Sequence, residues 1–254
     1  MNKTGGYTAV VRENHCGDIY ATLILECPAA AKTALPGQFL HIQCGEYTLR
    51  RPISIGGVTG DLLTVIFEVK GKGTRWLRER QAGQTLNVLG PLGHGFPKNP
   101  GKVLLVGGGV GVPPMYFAAQ QLAECDALLA FRSHDRAMLT EEFQAHCGTV
   151  QIMSDDGTIG TKGFAAQGAA ELLKQGGYDA VFACGPKIML KTTYEAARAA
   201  GVACYVSMEE RMGCGVGACL GCSVPLKTPD GTRYMARACA DGPVFRGEEV
   251  LWDD

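Results

Sequence analysis

Four cysteines close to the carboxyl end of the chain are spaced like metal ligands. Cys214, Cys219 and Cys222 form a C-x4-C-x2-C run, and Cys239 follows after sixteen intervening residues. The first three match the spacing of plant-type two-iron, two-sulfur ligands, and four thiolates can ligate both irons. The alternatives are a structural four-cysteine zinc site and cysteines that only pack. Zinc ribbons usually carry two C-x2-C pairs, and this segment has one, so the pattern favours iron.

A glycine-rich loop is the second candidate site. It contains Gly107, Gly108, Gly109 and Gly111, between an apolar run and a predicted helix. Such a loop can present backbone N–H groups and a helix amino terminus to a pyrophosphate. The strict G-x-G-x-x-G pattern would need glycine where Val112 stands. A plain strand-to-helix turn therefore stays open as the alternative.

Two segments in the first half of the chain combine groups that bind anions. Arg51 and Ser54 lie at the predicted end of a strand, where the guanidinium could neutralise a phosphate and the hydroxyl could hydrogen-bond a planar ring. Gly73 and Thr74 precede a short predicted helix over 75–80, whose amino terminus would be another anion site. Each segment could be only a turn, but together they suit a cofactor that contains a diphosphate.

The hydrophobic pattern predicts two scaffolds for these groups. From about residue 8 to 97, short alternating runs broken by turn residues are typical of an antiparallel β-barrel. From 101 to about 206, strands alternate with helices, which predicts a doubly wound parallel sheet with ligands at the carboxyl ends of its strands. A small carboxyl-terminal segment holds the four cysteines. The predicted domains are 1–98, 99–206 and 207–254. The predicted strands and helices are strands 20–25, 38–42, 62–69, 103–106, 127–131 and 180–183, and helices 114–124, 140–146 and 187–200.

Composition excludes several classes of protein. Lys and Arg total 24 against 25 for Asp and Glu, so no basic field exists to hold nucleic acid or anionic lipid. The longest uncharged stretch, 103–123, is broken by glycines and prolines, so no membrane span is expected. An odd total of eleven cysteines and an amino terminus without a leader pattern indicate a cytoplasmic protein with reduced thiols.

Several other residues are expected to have ordinary structural roles. Asp155-Asp156-Gly157 is typical of a turn, and the charged pair Glu209 and Glu210 is as compatible with a solvated surface as with a site. The five histidines lack the spacing of metal ligands or general bases and are expected on the surface or in the core: His15, His41, His94, His134 and His146. The remaining cysteines are expected mostly in the core: Cys16, Cys27, Cys44, Cys125, Cys147, Cys184 and Cys204.

The order of these motifs resembles the ferredoxin reductase superfamily over essentially the whole chain. The motifs are Arg51-Pro52-Ile53-Ser54, Gly73-Thr74, Gly90-Pro91-Leu92-Gly93, the 107–111 loop and Cys184-Gly185-Pro186. Within that superfamily, segments 209–219 and 241–245 resemble the electron-transfer subunits of NAD-dependent (type 1B) dihydroorotate dehydrogenases. The superfamily pattern has an aromatic residue where Ile53 stands, and isoleucine there agrees with the dihydroorotate branch.

The resemblance implies three cofactors. FAD would lie in the barrel at Arg51, Pro52, Ile53, Ser54, Gly73 and Thr74, NAD(H) would lie on the α/β domain at the glycine loop, and a [2Fe-2S] cluster would be held by the four cysteines. It also implies that Cys184 acts at the nicotinamide side of the flavin, although an ordinary buried cysteine is the alternative. Arg132 and Arg136 would allow NADP through its 2′-phosphate, but the resemblance favours NAD.

The resemblance further implies an oxidoreductase subunit with a separate partner. An FMN-containing catalytic subunit would oxidise dihydroorotate to orotate in pyrimidine biosynthesis, and this chain would pass the electrons through the cluster and FAD to NAD+. The expected assembly is a heterotetramer with two copies of each subunit. One alternative is a related reductase subunit that serves a ferredoxin, hydrogenase or glutamate-synthase partner. The other is a non-catalytic zinc protein.

Overall fold

Six strands in the first part of the chain form a closed antiparallel barrel in the computed structural model, which describes residues 5–253. The strands are β1 (Gly6–Cys16), β2 (Tyr20–Glu26), β3 (Phe39–Ile42), β4 (Arg51–Thr59), β5 (Leu62–Glu68) and β6 (Thr85–Leu92). Their order around the barrel is β1-β2-β5-β4-β3-β6. Two short helices, α1 (Pro28–Ala31) and α2 (Lys72–Arg78), lie in the connections. The predicted barrel is confirmed.

The barrel closes because its strands alternate between buried and partly exposed residues. In β2 and β5 every second side chain points into the apolar interior, as the two-residue period of a strand requires. Strand β3 differs because all four of its residues are buried. Leu40 and Ile42 belong to the barrel core, whereas Phe39 belongs to a core shared with the carboxyl-terminal segment. The outer face of β3 is therefore covered by protein.

A parallel sheet follows the barrel and carries helices on both faces. Its strands are β7 (Val103–Gly108), β8 (Cys125–Phe131), β9 (Val150–Ser154), β10 (Thr161–Lys162), β11 (Ala180–Cys184) and β12 (Ala203–Ser207). The strand order is β10-β9-β8-β7-β11-β12. The helices are α3 (Val112–Ala119), α4 (Ala165–Gln175) and α5 (Lys187–Ala199). Alternate residues of β7 enter two different cores, one with α4 and α5 and the other with α3. The predicted doubly wound sheet is confirmed.

The carboxyl-terminal segment is joined to the sheet. Strands β13 (Ser223–Lys227) and β14 (Arg233–Arg237) form an antiparallel hairpin. The last strand, β15 (Val244–Arg246), pairs antiparallel with β12 at the edge of the parallel sheet. The segment therefore packs on the rest of the molecule and does not form a separate lobe.

Some local predictions were wrong. Residues 140–146 form no α-helix but a 3-10 turn at Glu142–Ala145, because Phe143 is the only buried side chain that anchors this short segment. The strand predicted to end near Ser54 in fact begins at Arg51. Helices α1 and α4 and strands β1, β6, β9, β10 and β12–β15 were not predicted. Among the remaining cysteines, Cys16 is exposed and Cys147 is half-buried, while the other five are buried as predicted.

The described helices are all short. Among residues 5–253, none is both long enough and apolar enough to cross a membrane.

Candidate functional site

The four cysteines lie in two pairs, and the β13–β14 hairpin creates one of them. Ser223 is opposite Arg237 in the hairpin register, and just beyond it the Ala238 N–H donates to the Cys222 carbonyl. The neighbouring Cys239 then lies beside Cys222, with their Sγ atoms 3.3 Å apart. The thiol of Cys214 interacts with that of Cys219 as the second pair. Within the described part of the chain, the thiols form these pairs and not one group of three or more around a single point. Two pairs of thiols are the arrangement expected if each pair ligates one iron of a two-iron cluster.

Backbone N–H groups surround the sulfur atoms. Gly217 donates to Cys239 Sγ over 3.1 Å. Three donors point at Cys214 Sγ over 3.3–3.4 Å, namely the N–H groups of Val216, Ala218 and Cys219. These bonds, led by that of Val216, lower the pKa of Cys214 to about 6. Gly215 and Gly217 have φ of +72° and +83°, which turns the loop inward. Such a cradle stabilises thiolates and fits the sulfur-rich cluster predicted from the spacing.

A cavity of about 240 Å³ opens where the barrel, the sheet and the carboxyl-terminal segment meet. Pro52, Ile53 and Ser54 of β4 line it from the barrel side, together with Thr74 of α2. Val110 of the glycine loop and Cys184 at the end of β11 line it from the sheet side; Met208 and Met212 line it from the segment that leads to the cysteines. Motifs that are far apart in the sequence thus face one space.

Arg51 and the start of α2 are in direct contact. A Cβ atom at Gly73 would lie 2.6 Å from Arg51 Nε, so the guanidinium lies against the Gly73 backbone in space that a larger residue would occupy. Arg51 Nη1 donates to the Leu49 carbonyl over 2.6 Å. The hydroxyl of Thr74 accepts hydrogen bonds from the N–H groups of Lys70 and Gly71 over 3.0 and 3.1 Å. Thr74 therefore caps its own helix at the rim of the cavity.

The glycine loop packs backbone to backbone on the loop that follows β11. A Cβ at Gly111 would lie 2.7 Å from Gly185 N and closer still to the Cys184 carbonyl. A Cβ at Gly108 would lie 3.2 Å from the Pro186 ring. A Cβ at Gly107 would lie 3.1 Å from Val112 Cα. Gly109 differs because it faces open space with φ of +52°. The two loops therefore meet at the carboxyl edge of the sheet, where the sequence predicted the nucleotide.

Cys184 is almost fully buried in the wall of the cavity. Burial raises the pKa of its thiol well above the ordinary range, and the Glu209 carboxylate acts in the same direction. The thiol is therefore neutral at physiological pH.

An ion pair joins the barrel to the sheet. Arg136, in the 3-10 turn His134–Arg136 that follows β8, lies 3.3 Å from Glu68 Oε1 in β5. Lys70 lies 2.8 Å from the other oxygen of the same carboxylate. Arg136 therefore already has a carboxylate partner, although it shares that carboxylate with Lys70, whereas Arg132 stays exposed.

The sequence did not single out several residues that line the cavity. Glu68, Lys70, Met208 and Met212 are among them. They come from segments that meet only in the folded chain, so no local spacing marked them. Asp156 accepts hydrogen bonds from Thr158 in an exposed turn, as predicted for that acidic pair.

Comparisons with known proteins agree with this arrangement. Residues 209–251 match the family model described as the iron-sulfur cluster binding domain of dihydroorotate dehydrogenase B. A relative from Caldanaerobacter subterraneus subsp. tengcongensis is 40% identical over 219 residues, covering 85% of this chain and 87% of its own. A relative from Geobacillus thermodenitrificans is 41% identical over 245 residues, covering 90% of this chain and 91% of its own. Both are named dihydroorotate dehydrogenase B (NAD(+)), electron transfer subunit.

Solved structures share the fold. The NADH-dependent reduced ferredoxin-NADP oxidoreductase, studied for flavin-based electron bifurcation, has a chain that superposes with a TM-score of 0.87 at 32% identity, covering 98% of this chain and 91% of that one. The ferredoxin reductase of carbazole 1,9a-dioxygenase superposes with a TM-score of 0.64 at 21% identity, covering 78% and 66%, which shows the fold alone. The resemblance predicted from the motifs is confirmed. The chain belongs to the family of dihydroorotate dehydrogenase B electron transfer subunits.

Proposed function

We propose that this chain carries electrons between the FMN of a dihydroorotate dehydrogenase catalytic subunit and NAD+, by way of a [2Fe-2S] cluster and FAD. The observation that carries the proposal is the single cavity shared by the barrel motif, the nucleotide edge of the sheet and the segment leading to the cysteines. When bound, FAD exchanges hydride with nicotinamide and single electrons with the cluster. The protein's task is therefore to position the groups and to tune them electrostatically.

The barrel residues bind and orient the flavin in this proposal. The Arg51 guanidinium, held against Gly73, neutralises phosphate charge. The Ser54 hydroxyl faces the cavity and hydrogen-bonds the ring edge, while Pro52 and Ile53 provide apolar contact. Thr74 contributes by fixing the start of α2, because its hydroxyl already caps that helix.

The sheet edge binds NAD(H). Gly108 and Gly111 allow the two loops to pack, Gly107 makes room for Val112 at the start of α3, and the open backbone at Gly109 is free to approach a pyrophosphate. Cys184 lies on the cavity wall between the barrel motif and this edge, so its neutral thiol can contact the nicotinamide side of the flavin and exclude water there.

The thiolates of Cys214, Cys219, Cys222 and Cys239 hold the cluster. The surrounding N–H groups stabilise negative charge on sulfur, which favours electron acceptance.

The partner and the division of the chain complete the proposal. The partner is the FMN-containing catalytic subunit, in a heterotetramer with two copies of each chain in the cytoplasm. The functional units are 1–98 for FAD, 99–206 for NAD and 207–254 for the cluster. Strands β1–β6, β7–β12 and β13–β15 fall within these respective ranges, which supports the division.

Co-expression with the catalytic subunit under anaerobic conditions tests the function. We expect a coloured complex that contains FAD, FMN and two irons per copy of this chain, and that reduces NAD+ when given dihydroorotate. Cys219→Ser should abolish iron binding and dihydroorotate-driven NAD+ reduction, while NADH still bleaches the FAD. Cys16→Ser is the matched control, since Cys16 is exposed on β1. A colourless zinc protein, or unchanged iron content in Cys219→Ser, would contradict the proposal.

A further inference from the structure

His41 is a buried histidine to which the proposed electron transfer assigns no role. It lies in β3 with no exposed surface. Within residues 5–253, neither ring nitrogen makes a hydrogen bond of normal geometry. A buried polar group without a partner costs about 1–3 kcal/mol. His41 is therefore a candidate for a contact with a group bound nearby.

The ring faces the loop that carries the first cluster ligand. Residues of β3 alternate, with Leu40 and Ile42 in the barrel core and Phe39 in the core shared with the carboxyl-terminal segment. His41 is on the same outer face as Phe39. A Cβ atom at Gly215 would clash with Nδ1 of the ring and would lie 3.0 Å from Cε1 and Cγ. The glycine after Cys214 therefore makes room for this imidazole.

His41 also lies next to the cavity proposed to hold the flavin. In the β3–β4 register His41 is opposite Pro52, which lines the cavity. Arg50 donates from Nη1 to the His41 carbonyl over 3.2 Å and to the Asn87 carbonyl over 3.1 Å, so the strand position is fixed. His41 thus belongs to the wall that separates the proposed flavin site from the cysteine loop.

The ring donor has no well-formed partner beside the cysteine loop. An imidazole carries at least one N–H donor, and within residues 5–253 the donor of His41 makes no hydrogen bond of normal geometry. A [2Fe-2S] cluster held by the four cysteines would place negatively charged sulfur atoms at this loop, and such sulfur accepts hydrogen bonds.

We propose that His41 is a positioning residue for the cluster, whose ring N–H hydrogen-bonds to sulfur at the Cys214 loop and favours the reduced form. The inference rests on the proposed function, since it requires the four cysteines to hold a [2Fe-2S] cluster. A hydrogen bond to cluster sulfur stabilises the extra electron and raises the reduction potential. The same contact fixes the loop against the barrel wall.

Variants at His41 separate this role from simple packing. His41→Leu removes the donor, and His41→Asn keeps an N–H near the position of Nδ1. Redox titration followed by EPR should show a more negative cluster potential in His41→Leu and a value closer to wild type in His41→Asn. The FAD potential should not change in either variant. Thr193→Val is the matched control, because that hydroxyl is also fully buried without a partner in the described chain but lies on α5.

A measurement on the wild-type protein avoids dependence on the variants folding. Pulsed EPR of the dithionite-reduced complex labelled with ¹⁵N-histidine should show coupling between the cluster and a ring nitrogen. The absence of that coupling overturns the inference. A fully iron-loaded His41→Leu with the wild-type potential, or equal shifts in His41→Leu and His41→Asn, also overturns it. Failure of the wild-type complex to hold iron would instead contradict the proposed function.

Discussion

Replacing Gly111 with alanine tests whether close packing of two loops builds the nucleotide edge. Gly111 has φ of −80° and ψ of −11°, a conformation that alanine adopts without strain. The obstacle is space, because the new Cβ would lie 2.7 Å from Gly185 N and closer to the Cys184 carbonyl. Since non-bonded heavy atoms settle near 3.5–4.0 Å, relieving the contact with Gly185 N alone requires the loops to separate by about 1 Å, and the closer Cys184 carbonyl requires more.

The loss of stability expected for Gly111→Ala follows from the rigidity of the two loops that would be forced apart. Overpacking costs about 1–3 kcal/mol, and backbone cannot rotate away as a side chain can, so we expect about 3 kcal/mol for Gly111→Ala. For a chain of this size each kcal/mol lowers Tm by about 2–4 °C, which predicts a loss of about 6–12 °C. The displaced loop should also raise the NADH concentration that half-saturates flavin reduction, while the barrel retains FAD.

Thermal unfolding by circular dichroism and stopped-flow flavin reduction measure the two effects. Gly201→Ala is the control: Gly201 has φ of +71° and open space around it, so alanine there adds strain of about 1–2 kcal/mol without a clash. We expect its NADH dependence to match wild type. If Gly111→Ala unfolds no earlier than Gly201→Ala and binds NADH normally, close packing does not explain the glycine.

Two further predictions concern charge. Arg51→Ala removes a charge-assisted contact worth about 1.5–3 kcal/mol, so FAD should dissociate about 10- to 100-fold more readily in equilibrium dialysis. Arg50→Ala, whose guanidinium bonds barrel carbonyls, should keep FAD, and undiminished occupancy in Arg51→Ala would contradict the assignment. Asp126 is buried, which by itself raises its pKa, but Lys102 at 3.0 Å and the Tyr178 hydroxyl at 2.8 Å lower the pKa overall. Asp126→Asn should therefore lower Tm at pH 7 by an amount that shrinks as pH falls below about 4, because the carboxylate stabilises the fold only while ionised; a pH-independent difference would contradict this.

Hydrophobic periodicity along the sequence predicted the strands and helices whose buried faces follow a regular repeat. Strand β5 and helix α5 were predicted within about one residue of their observed ends, because alternation in the strand and an amphipathic repeat in the helix mark buried faces directly. The helix predicted at 140–146 does not form, because a single buried phenylalanine gives this segment too little apolar contact to stabilise an α-helix. The pairing of β15 with β12 was not predictable, since that contact joins segments about forty residues apart with no turn signal between them.

The candidate site also has features that the sequence predicted and features that depend on contacts made only in the folded chain. Spacing alone predicted the four cysteines as a ligand set, because three of them follow the spacing of loop ligands of one cluster. It could not assign the pairs, which depend on the hairpin register that places Cys222 beside Cys239. His41 was expected on the surface or in the core. Its burial is explained by the cysteine loop that covers the outer face of β3, and a contact of that kind leaves no periodic signal in either segment.

The spacing between the proposed redox sites is set by shared packing and not by linkers. Phe39 of the barrel and Cys222 and Cys239 of the carboxyl-terminal segment belong to one apolar core, which also includes the face of the sheet covered by α4 and α5. Strand β15 adds a backbone ladder, and the Arg136–Glu68 ion pair ties sheet to barrel. Because interiors packed in this way resist deformation, thermal motion changes the separation of the sites little. Tunnelling distances would then be fixed by the fold itself, and substitutions in the shared core would alter electron transfer without touching a ligand.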